Sequence, residues 1–446
     1  MDLTPSKHQH QLTMSTVEPD EEEAQQDLDI KEAQQHLEIV KPDEEEAQQD
    51  LEIHNSIGTT FSKTCFNMLN SLSGVGIVVI PYALSQGGWA CLALLVLLGI
   101  IFYYTGLLLQ RCISMDPHIK CYPDIGHLAF GPKGKIVIST FIYLQLFLLD
   151  IGFLILVGDS LAKLFPNFGY KIGGWRIEGS KAFVILSAMV VLPTTWLKSL
   201  GRLAYVSVTG VFACVVVMGA VIWVGLCGGV GIHEKGSPLN LSGIPVAASI
   251  YALCFTGHGV LPTIIGSMKD RSKGSKVLTF SFITCVVAYA LMSIFSYLMF
   301  GDQIKSQITL NLPVKYFSSK IAIYVVVILP LSKYALAMAP VTAAIEEIFP
   351  LCKKCAVSLS LRTMMVAITV IVALIFPFFG SMMAFIGSFL GSTIALILPC
   401  ICYLKIFEGT KSGRIEKVIV MGILMIGFSI ATLGTYFNVK RIMQQM

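Results

Sequence analysis

Two short stretches of this chain carry residue types that can bind a small polar ligand within otherwise apolar runs. In "SLSGVGIVVIPYAL", Ser71–Leu84, Gly74 and Gly76 are followed by Pro81, and in "FTGHGVLP" Gly257 and Gly259 are followed by Pro262. A helix interior loses about 1 kcal/mol per glycine and about 3 kcal/mol per proline relative to alanine, so each stretch predicts a broken helix. Unwinding frees backbone N–H and C=O groups that lipid cannot satisfy. A zwitterion such as an amino acid can. Its carboxylate complements N–H groups at the positive end of a half-helix, and its ammonium complements freed carbonyls. The residues expected to form such a site are Ser73, Gly74, Val75, Gly76, Phe255, Thr256, Gly257 and His258. Taken singly, either stretch is equally well a kink that lets neighbouring helices pack closely. Two matched breaks point instead to a transporter-type site between corresponding halves.

Ionisable side chains inside apolar runs are costly, so each is a candidate for function. His258, first among them for moving a proton, is the only one of the eight histidines within an expected span. An imidazole titrating near pH 6.5 suits proton binding and release, while a neutral ring bonded to the unwound backbone is the other reading. Asp150 lies mid-span, where a desolvated carboxyl can carry a proton. A pair with Lys333 or a structural hydrogen bond is the alternative. Asp159, nearer the end of the same run, caps or is solvated. Lys333, in "LPLSKYALAMAP", lies near the middle of the eighth apolar run and is a third proton-coupling candidate. Its ammonium is also expected to tie the first span to the eighth, in the way a sodium ion does in sodium-coupled carriers with broken helices. Thr60, Thr64, Asn67, Asn70, Ser71 and Gly74 recur every three or four residues and form one polar helix face. That face either hydrogen-bonds a neighbouring helix or lines a vestibule.

The elements that must position these groups are membrane helices. Of 446 residues, 54% are hydrophobic and 13% charged, in successive apolar runs of bilayer-spanning length. About eleven spans are expected, near 62–85, 88–111, 136–164, 180–196, 201–226, 243–267, 277–300, 318–345, 357–379, 382–405 and 416–438. With the N-terminus in the cytosol, the inner loops hold seventeen Lys and Arg residues against ten on the far side, the bias expected of that orientation. The tail is different in kind. Residues 1–60 hold 16 acidic residues and three lysines, with the repeats "EAQQDLDI", "EAQQHLEI" and "EAQQDLEI", and such a segment cannot fold on apolar burial. Residues 1–58 are therefore expected to be a disordered acidic cytosolic tail and 59–446 the membrane domain. No cleavable signal segment is expected, since the first 55 residues lack an apolar run. Cys352 and Cys355 form a CxxC without a second pair at metal-ligand spacing, so no metal site is expected. Asn240-Leu241-Ser242 is a far-side glycosylation sequon close to the next span. No nucleophile–base–orienter set and no phosphate-cradling loop occurs, so neither an enzyme, an ATP-driven pump nor a cofactor is expected.

The runs "TCFNMLNSLSGVGIVVIPYALSQGGW", "YPDIGHLAFG", "GFLILVGDSLAKLFPN", "VGIHEKGSPLNLSGIPVAASIYALCFTGHGVLPTI" and "SQITLNLP" resemble the plant vacuolar amino acid transporter group of the amino acid/auxin permease family. The resemblance covers nearly everything from Phe61 onward. It implies an all-α, eleven-span fold of the amino acid–polyamine–cation kind, with spans one to five and six to ten as inverted repeats and helices 1 and 6 broken. It also implies proton-coupled, alternating-access transport of neutral amino acids, often at the vacuolar membrane. The partners implied are that amino acid, protons and membrane lipid; no nucleic acid is expected, and no particular protein partner is named. Asp150 departs from the family pattern, and the EAQQ tail has no counterpart in it. A plasma-membrane importer and a transporter-fold amino acid sensor are the alternatives.

Overall fold

The computed structural model describes residues 58–445 apart from 117, 173–174, 178, 197–205, 350–354 and 409–413. The acidic repeats and Cys352 of the CxxC lie outside the described residues, and Cys355 is the first residue of a helix. The compact unit that begins at Thr59 is all-helical apart from a small hairpin in which Tyr170–Ile172 (β1) pairs antiparallel with Trp175–Ile177 (β2).

Each expected span coincides with one helix or one broken pair. The first is Phe61–Ser73 (α1) and Gly76–Gly87 (α2), bent by 45° where they meet. Ala90–Ile113 (α3) and Tyr122–Leu164 (α4) follow, then Gly179–Thr195 (α5) and Val206–Leu226 (α6). The sixth is broken into Ile244–Cys254 (α7) and Leu261–Gly266 (α8). Gly274–Phe300 (α9), Phe317–Ile348 (α10), Cys355–Ile375 (α11), Phe379–Ile406 (α12) and Arg414–Gln445 (α13) complete the bundle. Among the described residues, eight single helices and the α1–α2 pair are long and apolar enough to cross a membrane, while α5 and the α7 segment are shorter apolar helices. The chain is thus an integral membrane protein.

Two boundaries differ from expectation. The eleventh span, expected to end near residue 438, runs on as a helix to Gln445. The third span was expected from residue 136, but α4 begins at Tyr122, because Asp124 Oδ2 accepts from the backbone N–H groups of Lys120 (3.2 Å) and Cys121 (3.1 Å) and starts a helix well before the apolar run. Gly131, at φ 67°, then breaks the helical path ahead of Pro132. A left-handed residue at that point suits glycine alone.

The two broken spans run antiparallel and are joined at both ends. At the end where α1 begins, Thr59 donates to Ser267 O (2.7 Å) and accepts from Lys269 N–H (3.1 Å), beyond α8. At the other end, Asn240 N–H donates to Gly87 O (2.9 Å) and its side-chain amide donates to Gln86 O (2.9 Å). The sequon asparagine thus acts as a clip between α2 and the start of α7. Helix α2 packs along α7, α9 packs on both halves of the first span, and α4 lies along α10. Ion pairs Arg111–Glu416 and Arg362–Glu346 (3.3 Å) tie α3 to α13 and α11 to α10.

Candidate binding site at two broken helices

Helix α1 stops at Ser73 because Gly74 departs from helical angles (φ −42°, ψ −115°), and α2 starts two residues later at Gly76. The orphan carbonyls at the end of α1 are met by three different helices. Lys333 Nζ from α10 reaches Asn70 O (3.4 Å), Tyr289 Oη from α9 donates to Leu72 O (2.5 Å), and Cys214 Sγ from α6 points at Ser73 O (3.2 Å). A cation at a helix C-terminus also opposes the negative end of its dipole. Tyr289 Oη lies 3.2 Å from Cys254 O as well, so one phenol joins the ends of α1 and α7.

The start of α2 is the reverse case. Among the described residues, the N–H groups of Gly74, Val75, Gly76 and Ile77 donate to no acceptor. Four successive unpaired donors at a helix N-terminus form a site for a negative group. Three of these residues border a cavity of about 440 Å³ lined by Asn67, Asn70, Ser71, Gly74, Val75 and Gly76 of the first span, by Thr256 of the sixth, and by Gln145 and Lys333. The space lies on the α1 side of the break. Past the break only about 20 Å³ remains, between α2, Phe153 and Pro330.

The structure divides the expected site residues. Gly74, Val75, Gly76, Thr256, Asn67, Asn70 and Lys333 share the cavity, whereas Ser73, Phe255, Gly257 and His258 do not. Ser73 Oγ turns back to Leu69 O (2.6 Å). Phe255 is fully buried in an aromatic group with Phe102, Phe282 and Tyr289. Gly257 faces Leu72 and Met68, so a side chain there would meet α1 packing and not a ligand. A Cβ on Gly76 would lie 2.6 Å from Tyr289 Oη, so a leucine there disrupts the Tyr289 joint before it fills any cavity. His258 points at α3, its Nε2 3.1 Å from Phe102 O and 3.0 Å from Thr105 Oγ1. A carbonyl only accepts, so Nε2 carries a proton, and Nδ1 is buried and unpartnered among the described residues. The expected polar stripe also splits, since Thr64 bonds Thr60 O (2.9 Å) and Thr59 Oγ1 (2.9 Å) beside the α8 joint.

Asp150 is fully buried, and neither carboxylate oxygen has a hydrogen-bond partner among the described residues. Lys333 does not reach it, because its ammonium is drawn to the end of α1, so the alternative of an Asp150–Lys333 pair is not formed. Asp159 accepts from Ser180 Oγ (2.8 Å) and Gln307 Nε2 (3.3 Å), as a capping carboxyl would. Sequence reasoning missed Tyr289, Cys214 and Gln145. Tyr289 sits in an apolar run like many others and carries no sequence signal. Gln145, an amide within "FIYLQLFLLD", was accessible to the same cost reasoning that singled out Asp150.

Residues 58–440 match the model of the family described as transmembrane amino acid transporter protein. The chain belongs to that family. This member of the transmembrane amino acid transporter family is 44% identical to "Amino acid transporter AVT1I" of Arabidopsis thaliana over 386 residues, 86% of this chain and 95% of that one. It is 42% identical to "Amino acid transporter AVT1J" of the same plant, over 86% of this chain and 92% of that one. With "Amino acid transporter AVT1B", also from Arabidopsis thaliana, it shares 41% identity over 87% of this chain and 72% of that one. In this family member the matched region contains both breaks, the cavity and every residue that caps α1.

Proposed function

We propose that this protein is a proton-coupled carrier of neutral amino acids that works by alternating access at the vacuolar membrane, with its tail in the cytosol. One observation carries the reading: Gly74, Val75 and Gly76, whose N–H groups are unpaired among the described residues at the start of α2, line a cavity between two broken, antiparallel spans. The substrate carboxylate sits on these donors, where charge-assisted hydrogen bonds are strongest. The Lys333 ammonium beside Gly74 favours the same negative end. The substrate ammonium turns toward oxygen atoms of the α7–α8 break near Thr256. Among the described residues Lys333 is the one charged side chain that lines the cavity, so with it beside the substrate carboxylate the pairing suits a substrate without a further charge.

The names of the relatives support amino acid as the substrate class. The loop charge bias supports the orientation, which makes the α1 side of the cavity the cytosolic side. Antiparallel joining of the first and sixth spans is what inverted repeats produce, and it lets the two breaks move together. For the proton, Asp150 replaces His258 as the leading group. His258 is occupied by α3, whereas an ionised Asp150 would be a buried charge with no donor or counter-ion, and a bound proton removes that cost.

Uptake of labelled isoleucine into proteoliposomes, with a pH gradient imposed in either direction, tests the function. Accumulation that follows the gradient is expected. Equilibration that ignores it in both directions overturns proton coupling, and binding without flux favours a sensor.

A further inference from the structure

The cavity wall opposite the first span carries an amide that the transport reading leaves without a task. Gln145 of α4 is 8% exposed and lines the cavity, and its side chain makes no hydrogen bond among the described residues. Buried amides are paired in most proteins, and in a membrane segment an unpaired one is more costly still. Asn67 and Ser71, on the facing surface of α1, line the same cavity and likewise make no side-chain hydrogen bond there.

Their depth is informative. Asn67 precedes the break at Gly74 by seven residues, and Gln145 precedes Phe153, which borders the same break, by eight. At 1.5 Å per residue both lie roughly 10–12 Å toward the α1 end of the cavity. The cavity wall next to Gln145 is apolar at Leu146, and again at Leu149 one turn nearer the break. An amino acid anchored by its carboxylate on α2 and extended toward the α1 end therefore brings only the tip of a long side chain to Gln145 and Asn67.

We propose that Gln145, with Asn67 across from it, is a specificity-determining subsite that reads a neutral carboxamide at the end of a substrate side chain. An amide presents one donor group and one acceptor, so two protein amides can pair with it in both senses. An aliphatic tip of similar length leaves both protein amides unpaired. Among the described residues the one charged side chain lining the cavity, Lys333, lies at the break beside Gly74, away from a charged tip at this depth. Glutamine is the amino acid that fits, and serine is too short to reach. This inference rests on the transport reading above.

Glutamine and isoleucine uptake by the full chain in proteoliposomes, each with its KM, tests it. The natural chain is expected to favour glutamine, and Gln145→Leu is expected to lower the glutamine-to-isoleucine uptake ratio about tenfold through a raised glutamine KM, the size of one lost hydrogen bond to a buried group. Gln145→Ser, which keeps a polar atom but cannot span the cavity, is read in parallel and is expected to shift the ratio in the same direction, so a leucine variant that fails to reach the membrane does not decide the matter. A ratio unchanged in the variants that transport, or no glutamine preference in the natural chain, overturns the subsite. Absence of uptake of either amino acid by the natural chain would instead strike the transport reading itself.

Discussion

At the scale of single residues, the site is governed by which polar atoms find partners inside the bundle. Lys333, Tyr289 and Cys214 cover the carbonyl end of α1, and the donors at the start of α2 are left unpaired. The polarity that remains suits a carboxylate, as the proposed function requires. Asp150 is left alone in the same sense, and this yields a direct expectation. A one-unit pH gradient can support about tenfold accumulation by a carrier that moves one proton per substrate. Asp150→Asn keeps the shape and removes the proton site, so isoleucine should still equilibrate across the vesicle membrane but no longer concentrate with the gradient. Undiminished gradient-driven accumulation by that variant would return the proton to another group. Both Asp150 and Lys333 were legible in the sequence as costly groups in apolar runs. Their failure to pair was not, because pairing depends on helix rotation about α4 and α10, which hydropathy does not encode.

At the scale of elements, the paired breaks were legible because glycine and proline act through local backbone preferences, visible without tertiary contacts. The orientation of the second break was not. Residues 255–260 have no helical period, so nothing in "FTGHGV" indicated that Phe255 and His258 turn toward α3 while Thr256 turns to the cavity. The joint between the breaks was equally hidden, since it depends on one phenol from α9. Tyr289→Phe leaves the carbonyls of Leu72 and Cys254 without that donor, and a buried unsatisfied acceptor costs about 1–3 kcal/mol. The expected result is a lower midpoint for thermal loss of the monodisperse detergent-solubilised protein, together with slowed uptake. An unchanged midpoint would mean that the phenol is not holding the two spans.

At the scale of the whole molecule, the eleven-segment plan was readable from hydropathy alone, because spans of lipid-crossing length leave strong compositional traces. The early start of α4 escaped it, since that turn depends on Asp124 capping and not on apolarity. The compact unit begins at Thr59, and its first residue is already bonded to the segment after α8. Removal of residues 1–55 is therefore expected to preserve gradient-driven uptake within about twofold, the range of a surface change away from packed features. Loss of all uptake on truncation would place part of the transport machinery in the tail. The central claim is that α2 receives the substrate carboxylate, and it is tested most directly by displacing bound labelled isoleucine from the purified full chain with unlabelled isoleucine or with isoleucinamide, which lacks only the carboxylate charge. Loss of charge-assisted bonds to several N–H groups predicts that isoleucinamide competes at least about a hundredfold more weakly, roughly 2.7 kcal/mol. Equal competition by the two compounds would contradict it.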